Sequence, residues 1–420
     1  MTRHASSAVP AGASYGVEAE PRQAAAEASS KGRLVGIDLA RGLAVFGMYA
    51  AHVGPDVSVG GTVGFLMEAT RGRSSALFAV LAGFSLVIIT GRPRPRVGRA
   101  GRQAVARVVI RALLLMVLGY VLTALGTDID VILSFYGLLF LAVVPLYRLR
   151  AAALAAVAAA GALILPQVLF AIRRSIEAGN WADVVVAHDP LARVSGTDGC
   201  VELLFTGEYP VLTWIPFLVA GMAVARLDLG RPGIRCRLAL TGASLAVVGY
   251  GGSWLALRLV PHALSAVSAA TDGGSASSAW WSDTVGDPTR RTPAVWLLVA
   301  APHSQTTFSV LGNTGVAVLV VAACLTVAER LPRLTRTATP VAAVGTMALT
   351  VYVLHIVALW CFTEVWHVPA VESDTMSELP VLLGFIAAAV LVAVVWTRFF
   401  RRGPFEHLLH LATRLARHIT

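Results

Sequence analysis

The sequence predicts an all-α fold, a polytopic integral membrane helical bundle of about ten transmembrane helices with both termini cytoplasmic. Three observations predict it: the composition, the recurrence of long apolar runs, and the distribution of arginine between them. The chain of 420 residues is 56% hydrophobic and only 14% charged, and its mean hydropathy is +0.71. A soluble domain carries roughly 25% charged residues, so a water-soluble fold of this composition would have almost no surface to offer. Apolar runs of roughly 20 residues, each able to cross a ~30 Å hydrocarbon core, recur along the chain. Lipid leaves no partner for unpaired backbone groups, so each run is expected to be a helix.

The expected spans are 34–53, 74–90, 107–126, 129–147, 151–172, 209–226, 238–260, 307–328, 341–362 and 379–398. Positive charge collects in cytoplasmic loops, which orients the set. The segment after the second span carries Arg92, Arg94, Arg96, Arg99, Arg102, Arg107 and Arg111, and later alternate gaps hold Arg148, Arg150, Arg226, Arg231, Arg333 and Arg336. The opposite loops hold most of the acids, among them Asp183, Asp189, Glu202, Glu208, Asp283, Asp287, Glu364, Glu372 and Asp374, although Arg173, Arg174, Arg193, Arg290 and Arg291 fall there too.

The formal charge of +10 sits at helix ends and mostly on one side, so orientation and attraction to anionic lipid explain it without nucleic acid. Residues 1–30, rich in Ala, Ser, Gly and Glu, contain no apolar signal region and are expected to be a disordered cytoplasmic tail. Residues 31–403 then form the transmembrane domain and 404–420 a cytoplasmic C-terminal tail. The longer outer segments 173–208 and 261–306 could form a lid or be loose. Cys200, Cys236, Cys324 and Cys361 show no metal-ligand spacing, so no metal is expected.

The first span places Asp38, Arg41 and His52 in an otherwise apolar stretch. Ionisable groups inside a bilayer cost a few kcal/mol each, so something must offset them. At roughly 100° per residue the three fall within about 60° of one another, on a stripe facing the bundle. Arg41 and His52 are about 16 Å apart along the axis and cannot touch. A bland reading makes Asp38 and Arg41 an orienting ion pair and His52 an interfacial residue.

Arg41 and His52, within Arg-Gly-Leu-Ala-Val-Phe-Gly-Met-Tyr-Ala-Ala-His, resemble the first-helix signature of bacterial membrane O-acyltransferases. The stretch from Gly72 to Ser85 is closer to the YeiB-like bacterial membrane family and to the catalytic domain of heparan-α-glucosaminide N-acetyltransferase. Met347 to His355, Arg402-Gly-Pro-Phe-Glu406 and the segment from Tyr209 to Phe217 strengthen the YeiB-like resemblance. Where His355 stands, the YeiB-like pattern commonly has another polar residue.

The resemblance implies a transmembrane acyltransferase in the bacterial plasma membrane, taking acyl-CoA, acetyl-CoA foremost, as donor. Its acceptor would be an extracytoplasmic glycan, glycolipid or amino sugar. His52 would act at the outer end as general base or as nucleophile; both roles need a neutral imidazole. Arg41, oriented by Asp38, could hold a phosphate or the thioester end of the donor. Arg71, Arg73 and Ser74 could steady a developing oxyanion or the acceptor, or Ser74 could simply cap a helix. Tyr352 and His355, in the outer half of the ninth span, could face the same cavity as His52. A transporter or flippase would also need buried charge, but no internal repeat is evident. A scaffold would tolerate loss of Arg41 and His52. Membrane lipid is the expected surrounding partner, and a homodimer remains open.

Overall fold

The computed structural model describes residues 19–127, 129–271, 274–289, 291–366 and 378–419. Arg290, Glu372, Asp374 and the first 18 residues of the expected tail lie outside them.

The described residues are helical, with no strand among them. In chain order the helices are α1 Ala19–Val53, α2 Gly61–Thr70, α3 Arg73–Thr90, α4 Gly98–Thr123, α5 Ile132–Val143, α6 Ala151–Ala178, α7 Trp181–His188, α8 Pro190–Ser195 and α9 Val211–Ala225. They continue as α10 Pro232–Ala246, α11 Gly252–Leu259, α12 Ala263–Ala270, α13 Thr307–Arg330, α14 Pro332–Thr337, α15 Thr339–Thr346, α16 Ala348–Trp360, α17 Glu378–Phe399 and α18 Pro404–Ala412. Among the described residues, seven helical segments are long and apolar enough to cross a membrane: 61–90, 98–123, 151–178, 232–259, 307–330, 348–365 and 378–399. Two more apolar helices, Ile132–Arg148 and Val211–Ala225, are shorter.

The helices depart from the expected spans in four places. α1 begins at Ala19, inside the stretch expected to be disordered, because Ala, Glu and Gln there are strong helix formers. α6 runs on to Ala178, so Arg173 and Arg174 stand on its last turns rather than in a loop. The seventh span is α10 and α11 joined by a single turn of π-helix over Val247–Gly251. The ninth span is broken at Met347 into α15 and α16. Glu406, in the Arg-Gly-Pro-Phe-Glu segment, caps this break: its Oε1 accepts from the Leu349 and Thr350 N–H groups at 2.8 and 3.2 Å, and its Oε2 from the Thr350 hydroxyl at 2.6 Å. A carboxylate at a helix N-terminus satisfies orphan donors and meets the positive end of the helix dipole.

Small residues bring the helices together. Gly83 of α3 lies against the Leu218 carbonyl of α9, and Gly221 of α9 against the Val80 carbonyl of α3, so a Cβ on either would strike backbone. Gly345 of α15 packs in the same way on the Asp38 carbonyl of α1. This is how membrane helices associate where lipid supplies no hydrophobic drive.

The ends of α1, α4, α6, α11 and α16 and the starts of α3, α5, α9, α13 and α17 share one face of the bundle with His52. The described residues of 261–306 form a packed cap over this face, with a small core in which Val267, Ala279, Val285, Trp296 and Val299 pack with Leu257 of α11. Of the two possibilities for this segment, lid or loose loop, the described residues form a folded cover.

Candidate active site

α1 runs unbroken to Val53 and places His52 in its last turn. After the break at Met347, α16 carries His355 beside His52. His52 Nδ1 lies 2.9 Å from His355 Nε2, and the rings stack with centroids 5.2 Å apart and planes 15° off parallel. Tyr49, about one turn before His52, packs its ring 4.7 Å from that of His355 and donates its hydroxyl to the Val351 carbonyl at 2.8 Å. Tyr352 packs edge-on to His355 at 5.1 Å, and its hydroxyl accepts from the Ile132 N–H at 3.3 Å. Two tyrosines therefore fix the second histidine, which is 2% exposed.

A polar cavity of about 250 Å³ opens at His52. Arg71, Ser74, Asp130, Glu208, Asp283 and His303 line it. Arg71, at the C-cap of α2, lies 3.5 Å from Asp283 and 3.7 Å from Asp56. Asp283 comes from the cap segment and is fixed through its own N–H, which donates to Glu68 Oε1 at 2.8 Å. Ser74, in the first turn of α3, packs against Gly47 of α1, where a Cβ would displace its hydroxyl.

The remaining residues singled out by sequence are held elsewhere. Asp38 and Arg41 form an ion pair at 2.8 Å, and Arg41 also donates to the Ser85 hydroxyl at 2.8 Å, tying α1 to α3. Neither is among the residues lining the cavities at His52. Arg73 is buried with its guanidinium committed to the Glu68 carbonyl at 2.9 Å, the Tyr250 hydroxyl at 3.0 Å and the Trp281 carbonyl at 2.5 Å. It anchors the cap to the bundle, and Tyr250 passes the contact on to Asn313 of α13 at 2.7 Å. Trp296 is buried in the cap core.

Sequence reasoning missed His303, as it missed Tyr49 and Asp130. His303 lies in Pro302-His-Ser-Gln-Thr306, just before α13, and its Nδ1 is 2.8 Å from Glu208 Oε1. His303 and Gln305 both have left-handed backbones, with φ of 59° and 58°. Non-glycine residues rarely adopt that conformation, and it concentrates at functional sites. The Gln305 side chain pins the turn by accepting from Thr213 at 2.7 Å and donating to the Glu208 carbonyl at 2.9 Å. Tyr209 and Trp214 enclose the imidazole. Burial opposes charge on His303, but the Glu208 carboxylate, its hydrogen bond and Asp283 outweigh it and push the pKa up from 6.5 to about 9. Burial likewise opposes charge on Glu208, yet His303 and Arg173 hold its carboxyl below the usual range. The only sequence signal was a histidine at the edge of an apolar run, with its partner 95 residues away.

Residues 33–249, just over half of the chain, match the family described as heparan-alpha-glucosaminide N-acetyltransferase, catalytic. The chain belongs to this family. Residues 289–416 match the family described as protein of unknown function (DUF418), the YeiB-like group. A comparison with curated proteins gave no match. His52 lies within the first matched region and His355 within the second, so the histidine contact joins the two. On the opposite face, Gly91, Arg92, Arg94, Arg96, Ile37 and Leu229 line a separate cavity of about 420 Å³.

Proposed function

We propose that this protein is a multi-pass acyltransferase of the bacterial plasma membrane, with about ten spans and both termini cytoplasmic. It moves an acyl group, acetyl foremost, from acyl-CoA to a hydroxyl or amine of an extracytoplasmic glycan, glycolipid or amino sugar. The carrying observation is the contact between His52 and His355 at the edge of a polar cavity. Family membership supports the same reaction class.

In this reading His52 Nδ1–H donates to His355 Nε2, which leaves His52 Nε2 unprotonated as the base. The base removes the proton of the acceptor hydroxyl or ammonium-derived amine as the acceptor attacks the thioester carbon. Arg71 and Ser74 stabilise the oxyanion that forms. Collapse breaks the carbon–sulfur bond, and the leaving thiolate takes the proton back from the His52 imidazolium. Asp130, Glu208 and Asp283, with protonated His303, give the cavity the mixed charge that suits a hydroxyl-rich or amino sugar. Tyr49 and Tyr352 act as positioning residues through His355. On the cytoplasmic side Arg92, Arg94 and Arg96 attract the phosphates of coenzyme A. Arg41, oriented by Asp38, stands between the two cavities along α1 and supports the donor's thioester arm.

Mass spectrometry of envelope lipids and glycans from cells with wild-type protein, His52→Ala or no protein tests the proposal. An acyl-sized mass increment present only with wild type identifies the acceptor and supports the reading. Identical profiles in all three overturn it.

A further inference from the structure

His52 and His355 line a second cavity, larger than the polar one and of opposite character. It has a volume of about 730 Å³ and runs between α1, α16 and α17, where Leu354, Phe362, Val381, Phe385, Ala388 and Val392 form its walls. Thr363 and Glu378 stand at the end nearest His52, and Glu378 accepts from the Asp56 N–H at 2.9 Å. From Glu378 to Val392 the groove follows α17 for about 21 Å, more than half of a ~30 Å hydrocarbon core. It is too long and too apolar for a sugar or an acetyl group. Among the described residues nothing lies within 4 Å of where a Cβ on Gly384 would be, at mid-length of the groove.

His52 is shared by the linings of the two cavities. A molecule with its reactive group at His52 has a polar cavity on one side and an apolar groove along the membrane on the other. That pairing matches an amphiphile. We propose that the acceptor is lipid-anchored: its sugar enters the polar cavity while its alkyl chain lies in the groove between α16 and α17. This rests on the acyl-transfer reading and narrows its acceptor to a glycolipid that arrives from within the membrane. The apolar walls hold the chain, and the histidine pair marks where the chain ends and the head begins.

The test uses the full-length protein in phosphatidylcholine nanodiscs without donor, labelled by a dodecyl glucosaminide that carries a diazirine at its chain terminus. Adducts are expected on the α16 and α17 residues of the groove, displaced by excess dodecyl glucosaminide and not by methyl glucosaminide. Gly384→Trp fills the groove and lowers labelling about tenfold by steric exclusion, and Ala388→Phe does the same about one helical turn further along. Size-exclusion profile and thermal stability identify which of the two variants remains folded. Labelling spread evenly over lipid-facing helices, or unchanged in a folded variant, overturns the groove assignment. Because no donor is present, this outcome is independent of acyl transfer. His52-dependent acetylation of methyl glucosaminide without groove labelling would leave the proposed function standing and remove the lipid anchor.

Discussion

At the scale of residues, the site depends on pairs that neither partner defines alone. Asp38, Arg41 and His52 stand out in the sequence because charge inside an apolar run is costly and demands a partner. The structure gives Asp38 and Arg41 to each other and to Ser85, and gives His52 to His355. His303 had no such signal, since a histidine at the edge of an apolar run is unremarkable until its backbone and its carboxylate are seen. Its pKa of about 9, above the ordinary 6.5, makes the stability that its charge contributes complete below pH 6.5 and lost as pH rises through 9. Glu208→Gln removes the leading favourable cause. The variant should melt at a temperature that varies less with pH across this window than wild type, as followed by differential scanning fluorimetry in detergent. An unchanged pH dependence would mean that the His303–Glu208 pair does not hold the charge.

At the scale of elements, breaks matter as much as helices. The ninth span was expected as one helix because its apolar run is continuous, whereas the break at Met347 is stabilised by Glu406 from far along the chain. Glu406→Ala should destabilise the protein by about 1–2 kcal/mol, the worth of a lost helix cap with its dipole interaction. Because α16 carries His355, activity should fall with stability, and Glu406→Gln, which retains acceptor capacity at one oxygen, should recover part of both. Equal melting temperatures for Glu406→Ala and wild type would remove the capping role. The α3–α9 contact fails differently. Gly221→Val pushes a branched side chain into the Val80 carbonyl, and backbone cannot yield as a side chain does. A loss of about 3 kcal/mol or more is expected, visible as aggregation in fluorescence-detected size exclusion. A monodisperse, wild-type-like profile would show that the two helices can separate at little cost.

At the scale of the whole molecule, the arrangement has two chemically different faces. The face with His52 gathers the polar cavity and the folded cap, and the opposite face gathers Arg92, Arg94 and Arg96. The cysteines report on this polarity, because Cys200 lies on the His52 face while Cys236 is exposed near the start of α10 on the other. In single-cysteine variants of intact cells, a membrane-impermeant maleimide should label Cys200 directly and Cys236 only after permeabilisation. The reverse pattern would invert the orientation, and the donor would then have to enter from the opposite side.

The sequence by itself determined the all-helical membrane class, the family resemblance and the isolation of Asp38, Arg41 and His52, because each is written in local composition or in short contiguous segments. It also placed Tyr352 and His355 at the depth of His52, since depth follows from position along a helix. It could not assign partners. Arg73 and Arg71 are two residues apart, yet one is spent anchoring the cap and the other lines the cavity, a difference set by Tyr250 and Asp283 from distant segments. The histidine contact spans 303 residues and the His303–Glu208 pair 95. Only tertiary packing could decide these, because the energy of a buried polar group depends on what the rest of the chain brings within hydrogen-bonding distance.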